Sequence, residues 1–152
     1  MGGDKMKQTI SYINHEQFSD AYEIIMNRLT INEFNIEDYD FLYECDSIKA
    51  YKFILYCIEK SKNVLFEFVL SVFLTYGNYV ECDYKKIIRK SIMHVLNTFP
   101  NFYPAIEFVV YTFYEHPDAP FSKEEIVTLA NKYYYECGDS LSKKILRDEK
   151  LI

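Results

Sequence analysis

Residues Asn63 to Gly77 read NVLFEFVLSVFLTYG. Nine of the twelve residues from Val64 to Thr75 are apolar, and the polar three, Glu67, Ser71 and Thr75, recur at every fourth position. On an α-helix that spacing gathers them into one narrow stripe and leaves the rest of the circumference greasy. Such a helix needs neighbours on most sides. It is too short, and too interrupted by Glu67, for a bilayer crossing, which takes about 20 apolar residues. It reads as the central buried helix of a globular protein, started by Asn63 and ended at Gly77, where a left-handed residue is expected.

A second version of the stretch lies 40 residues on, PAIEFVVYTFYE from Pro104 to Glu115. Setting Glu67-Phe68-Val69 on Glu107-Phe108-Val109 pairs Phe66 with Ile106, Leu70 with Val110 and Phe73 with Phe113. The polar stripe then falls on Glu107, Tyr111 and Glu115. The same shift sets Ile48 on Ile88, Lys49 on Arg89, Phe53 on Met93 and Leu55 on Val95. A period of about 40 residues with two helices per unit is the size of HEAT and armadillo repeats. The expected fold is all-α, about seven helices in antiparallel pairs, either such a helical repeat or an irregular helical bundle. Four glycines and four prolines among 152 residues leave too few turn residues for an all-β chain.

Around this pair the remaining helices follow from spacing and caps. Residues 1 to 13 carry charge and no apolar run, and are expected to be loose, with 14 to 152 forming a single helical domain. His15 to Thr30 has apolar residues at helical spacing. Asn35 caps a short helix whose inner face is Ile36, Tyr39, Leu42 and Tyr43. Ser47 opens a helix to about Ser61. Asn78 to Cys82 is a loop, Asp83 caps a basic helix stopped at Pro100, and Pro104 starts the next. Ser122 and Glu125 form a capping box for a helix ended by Gly138. Ser140 opens the last.

The formal charge of -6 is unevenly spread. Between His15 and Asp46 there are nine acidic residues and one basic one, Arg28. An acidic face repels nucleic acid and anionic membranes and attracts basic proteins. The basic turn Lys85, Lys86, Arg89 and Lys90 is too small a patch to reverse that. The four cysteines, Cys45, Cys57, Cys82 and Cys137, form no CxxC pair and no secretory leader precedes them, so reduced thiols and a cytoplasmic location are expected. No metal and no cofactor is expected. Glu-Cys before Asp recurs at Glu44, Glu81 and Glu136, each time before a helix, and reads as helix-start chemistry.

No phosphate-cradling glycine loop and no nucleophile elbow is present. A Cys-His pair of His94 with Cys57 or Cys82 is the only nucleophilic arrangement conceivable. Two functional readings follow. The first is a non-enzymatic protein-binding module that docks a basic partner on Glu37, Asp38, Tyr39, Asp40, Tyr43 and Glu44, a mixture of acid and aromatic suited to tight interfaces, or on Glu67, Glu107 and Tyr111. The second is a small-molecule-binding helical protein or enzyme using a groove lined by Glu67 and Glu107, beside Tyr111. In either case the expected partner is not nucleic acid and not a membrane.

The Glu67-Phe68-Val69 to Glu107-Phe108-Val109 spacing and the acidic block Glu33 to Asp46 together give a resemblance. The chain resembles the HEAT-like, all-helical immunity proteins of bacterial toxin systems, of the contact-dependent growth inhibition type. That resemblance implies a protein that binds and neutralises a toxin domain by covering its basic cleft. It rests on type rather than on a diagnostic motif, so it carries over no site residue.

Overall fold

The computed structural model describes residues 3–26, 33–77 and 83–152. These residues form eight α-helices and one 3-10 helix, with no strand among them. The chain divides into two compact units, Met1–Thr98 and Phe99–Ile152. The helices around Glu67 and Glu107, expected to pack side by side, belong to different units.

The first unit begins with α1 (Gly3–Asn14), a helix where a loose segment was expected. The reason lies in Thr9. Met6, Thr9, Ile10 and Ile13 have helical spacing, but only three of them are apolar. Thr9 is nevertheless fully buried, because its hydroxyl donates to the Lys5 carbonyl at 2.7 Å and so costs no unsatisfied polar group. The end of α1 is held by α3 (Ser47–Ser61). The Lys49 ammonium donates to the Asn14 carbonyl at 2.7 Å, and the Asp46 N–H to the Asn14 side-chain oxygen at 2.9 Å. A cation there also suits the negative end of a helix dipole.

After α2 (Phe18–Ile25) comes the 3-10 helix Ile36–Glu44, and then α3, whose N-cap is Asp46 accepting from the Lys49 N–H at 3.0 Å. The central stretch forms α4 (Leu65–Tyr76), buried along most of its circumference as its composition requires. It packs against α3, the 3-10 helix and, above all, α5 (Tyr84–Thr98). The Asn63 side chain accepts from the Leu65 N–H at 3.0 Å, one residue ahead of the formal cap.

Two expectations about α4 are corrected. Gly77 is extended (φ −83°, ψ 170°) rather than left-handed. It is glycine for lack of room: a Cβ there would meet the Phe73 carbonyl oxygen at 2.6 Å. Nor is the polar stripe an open groove wall. Ser71 is fully buried and Thr75 half-buried, their hydroxyls donating to the carbonyls four residues back, at 2.9 and 2.8 Å. The expected loop Asn78 to Cys82, and the segment from Asn27 to Thr30 with Arg28, lie outside the described residues.

The second unit is α6 (Tyr103–Phe113), α7 (Lys123–Cys137) and α8 (Ser140–Asp148), with α7 packed on both others. Pro104 sits in the first turn of α6. The capping box is formed as expected: Ser122 and Glu125 exchange hydrogen bonds of 3.1 and 2.9 Å. Gly138 ends α7 in the left-handed region at φ 68°. The repeat alignment survives in part. Phe66/Ile106, Phe68/Phe108, Val69/Val109, Leu70/Val110 and Phe73/Phe113 are buried at both members. In the preceding helices the shift of 40 fails, since Ile48 and Leu55 are exposed while Ile88 and Val95 are buried. A shift of 38 restores the match there, setting buried Ala50, Phe53, Ile54 and Cys57 on buried Ile88, Ser91, Ile92 and Val95.

Candidate functional site

The acidic segment is built on a period of three. In a 3-10 helix, side chains at i and i+3 eclipse one another. Ile36, Tyr39 and Leu42 therefore make one row, facing α4, and Glu37, Asp40 and Tyr43 make another, in which Glu37 and Asp40 lie in solvent and Tyr43 is partly exposed at the edge of α4. Asn35 starts the helix by accepting from the Glu37 N–H at 3.1 Å. The α-helical period would have placed Tyr43 on the inner face with Tyr39. Instead Tyr39 is 4 % exposed and Tyr43 42 %.

The two tyrosines thus part company. Tyr39 stacks on Phe34 at 5.9 Å and meets Phe66 edge-on at 6.4 Å. It belongs to the core and leaves the candidate docking set. Asp38 is half-buried, while Glu37, Asp40 and Glu44 are exposed. Tyr43 lies over Phe73, centroids 5.7 Å apart and planes at 22°, and its hydroxyl reaches the Val72 carbonyl at 3.4 Å. Partial burial, then the charge of Asp40 and the neighbouring Tyr76, push its titration up to about 12, so it is a neutral phenol at ordinary pH. On one side of Tyr43 is a depression of about 390 Å³ lined by Leu42, Phe73, Tyr76 and Gly77, with Cys45 and Ser47. Asp40, with Ile36 and Val69, lines a smaller cleft that shares Leu42, Tyr43 and Phe73 with it.

Glu67, in the same unit, does not face open solvent. Its side chain is 16 % exposed and its carboxylate pairs with Nδ1 of His94 on α5. That contact engages one of the two ring nitrogens of His94. Cys57 is buried, which pushes its thiol pKa well above the usual range, and Cys45 is pushed up to about 12 by burial and then by Glu44 and Asp46. Neither is a thiolate nucleophile at neutral pH. Cys82 lies outside the described residues.

Glu107 and Tyr111 belong to a network in the second unit that sequence reasoning missed. Along one face of α6, Tyr103, Glu107 and Tyr111 follow at four-residue spacing. Opposite them stand Glu136, Tyr133 and Asp139. The Tyr103 hydroxyl donates to Glu136 at 2.8 Å, Tyr133 to Glu107 at 3.0 Å, and Tyr111 to Asp139 at 2.7 Å. Tyr103 and Tyr133 are also stacked, 6.0 Å apart. Lys132 bonds Glu136 and Asn101 at 3.0 and 2.9 Å. Near the far end of α8, Glu149 accepts from Tyr114 at 3.0 Å and pairs with Lys123 at 2.9 Å. These bonds hold the Glu136, Asp139 and Glu149 carboxyls below their usual range; for Asp139 that lowering outweighs an opposing push from burial. The residue types were present in the chain, with Tyr103, Glu107 and Tyr111 on α6, Tyr133 and Glu136 on α7, and Asp139 at the start of α8.

Glu67 and Glu107 thus each have a partner within their own unit. Lys86, Arg89 and Lys90 of the basic turn are exposed and Lys85 is half-buried, with Lys86 near Asp83 at 3.6 Å. The Glu-Cys recurrence is helix-start chemistry at both places where it is described: Asp46 caps α3, and Asp139 caps α8 by accepting from the Ser142 N–H at 2.8 Å. Glu81 and Cys82 lie outside the described residues. No helix among the described residues is long and apolar enough to cross a membrane. Comparison with family models, with curated proteins and with solved structures finds no match.

Proposed function

We propose that the chain is a non-enzymatic protein-binding module that docks a basic protein on the exposed row Glu37, Asp40 and Tyr43, with Glu44 beside it. The observation that carries this reading is that the 3-10 helix packs an apolar row on α4 and leaves Glu37, Asp40 and Glu44 in solvent, beside a Tyr43 that is partly exposed and stacked on Phe73. No lysine or arginine lies on that helix to neutralise it. Charges so placed steer a basic partner and fix its approach, while a tyrosine among them adds contact area at low entropic cost. The natural occupation for such a module is that of an immunity protein, which covers the basic cleft of a toxin domain.

The test is protection. The protein encoded by the adjacent gene is expressed in a host cell with this chain or with its Glu37→Gln, Asp40→Asn, Glu44→Gln variant. A toxic, basic product neutralised by the natural chain and not by the folded variant is the expected result. Equal protection by the variant, or a partner of acidic charge, overturns the reading.

A further inference from the structure

We propose that two copies of the chain form a two-fold dimer in which α3 of one lies antiparallel on α3 of the other. Three sides of α3 differ in what they meet. Ala50, Phe53, Ile54 and Cys57 are buried in the core. A second side turns to α1 and α2: Lys49 holds the last carbonyl of α1, Lys52 pairs with Glu16 at 3.7 Å, and the Tyr56 ring meets Phe18 and Tyr22. The third side holds Ile48, Tyr51, Leu55 and Ile58. Ile48 and Leu55 are 41 % and 40 % exposed, and Tyr51 and Ile58 are half-buried. Steps of three, four and three residues line the four up as one strip, about 15 Å long at the helical rise. The same alternation makes the seam of a coiled coil, which is completed by a second helix. A single exposed leucine is ordinary on a protein surface; an apolar strip at seam spacing is a place for a partner.

The strip is complementary to itself. Across a two-fold axis, if one residue meets a second, the second meets the first. With the axis at the level of Phe53, Ile48 opposes Ile58 of the second copy and Tyr51 opposes Leu55, so all four side chains find an apolar neighbour in one register. Charge selects the same direction. The start of α3 is acidic, with exposed Glu44 and Asp46 just before it, and its end carries exposed Lys60 and Lys62. Antiparallel order sets each acidic start beside the basic end of the other copy. Parallel order would set like charges together at both ends. Lys62 bonds Glu59 at 3.1 Å within its own chain, and an exposed pair of that kind is worth little and is readily exchanged. Lys52, at the edge of the strip, already has its counter-charge in Glu16.

The test is sedimentation equilibrium of the full chain over a range of concentrations, with a reductant present so that exposed Cys137 forms no cross-link. The expected result is a reversible monomer–dimer equilibrium. Leu55→Glu places a charge in the strip of both copies at once, and raises the dimer dissociation constant at least about tenfold. Ile48→Gln, a milder change on the same strip, raises it less. Glu44→Lys and Lys62→Glu each weaken the dimer, and the two reversals in one chain restore it. Helical circular dichroism shows each variant folded, as expected at exposed positions. A monomer at every concentration, a dimer indifferent to both strip variants, or charge reversals that add instead of cancelling overturn the proposal. The result is separate from the docking reading, because Leu55 and Ile48 lie outside the acidic row: a monomeric Leu55→Glu chain that still protects leaves both proposals standing.

Discussion

Replacing Tyr39 and Tyr43 separately by alanine distinguishes a three-residue from a 3.6-residue period in the acidic segment. Tyr39 is almost fully covered, stacked on Phe34 and edge-on to Phe66, so its removal leaves a cavity in well-packed surroundings. Truncating a buried aromatic of this kind costs about 3–5 kcal/mol. Tyr43 is 42 % exposed, and what it loses is one stacked pair and partial burial. An aromatic pair is worth about 0.5–1.5 kcal/mol beyond its area, and the whole loss is about 1–2 kcal/mol once partial burial is added. With a urea slope of about 2 kcal/mol/M, the two variants differ in midpoint by about 1 M. Urea unfolding followed by helical circular dichroism reads this, with tyrosine fluorescence as a second probe because the chain has two compact units. Equal losses at the two positions refute the reasoning: both side chains would then lie on one face, as an α-helical period requires.

Other outcomes follow from the same structure. Gly77→Ala destabilises through collision with the Phe73 carbonyl, by about 1–3 kcal/mol as in other overpacked sites. Gly138→Ala meets nothing within 4 Å and costs about 1–2 kcal/mol through its left-handed backbone alone. Asparagine, which tolerates that backbone, therefore rescues position 138 and not position 77 in thermal unfolding. The carboxyls of Glu136, Asp139 and Glu149 are held below their unfolded values. Their contribution to stability is therefore present above pH about 4 and lost as pH falls through the folded pKa values. Tyr103→Phe removes a bond to Glu136 and narrows that acid-sensitive window in a pH series of melts. A thiol reagent modifies exposed Cys137 before Cys45 and Cys57 in the folded protein, as mass spectrometry of partly labelled chains would show.

What the chain announces and what it hides have separate physical causes. The α4 stretch, the Ser122–Glu125 box, the Asn35 cap and the proline opening α6 are local signals, and the structure contains each. The 3-10 period was not legible, because Ile36, Tyr39, Leu42 and Tyr43 fit a 3.6-residue period as well as Ile36, Tyr39 and Leu42 fit a three-residue one. The choice falls to packing on α4. Helix α1 was hidden because a threonine occupies a core position, with its hydroxyl satisfied by its own helix. Gly77 illustrates a different limit: two conformations call for glycine at a helix end, and only the backbone distance tells them apart. The Tyr–carboxylate network shows on α6 as Tyr103, Glu107 and Tyr111 at four-residue spacing, but its pairing depends on how α7 and the start of α8 dock there.

The docking reading stands or falls on charge-governed association. The association rate of the natural chain with the basic partner proposed above is compared with that of the Glu37→Gln, Asp40→Asn, Glu44→Gln variant, at low salt and at physiological salt. Steering between opposite charges raises on-rates about 10- to 1,000-fold, and salt screens it. The expected result is fast, salt-sensitive association for the natural chain and slower, less salt-sensitive association for the variant, with both equally helical. Identical rates and identical salt dependence would contradict the account and remove the acidic row as the docking face.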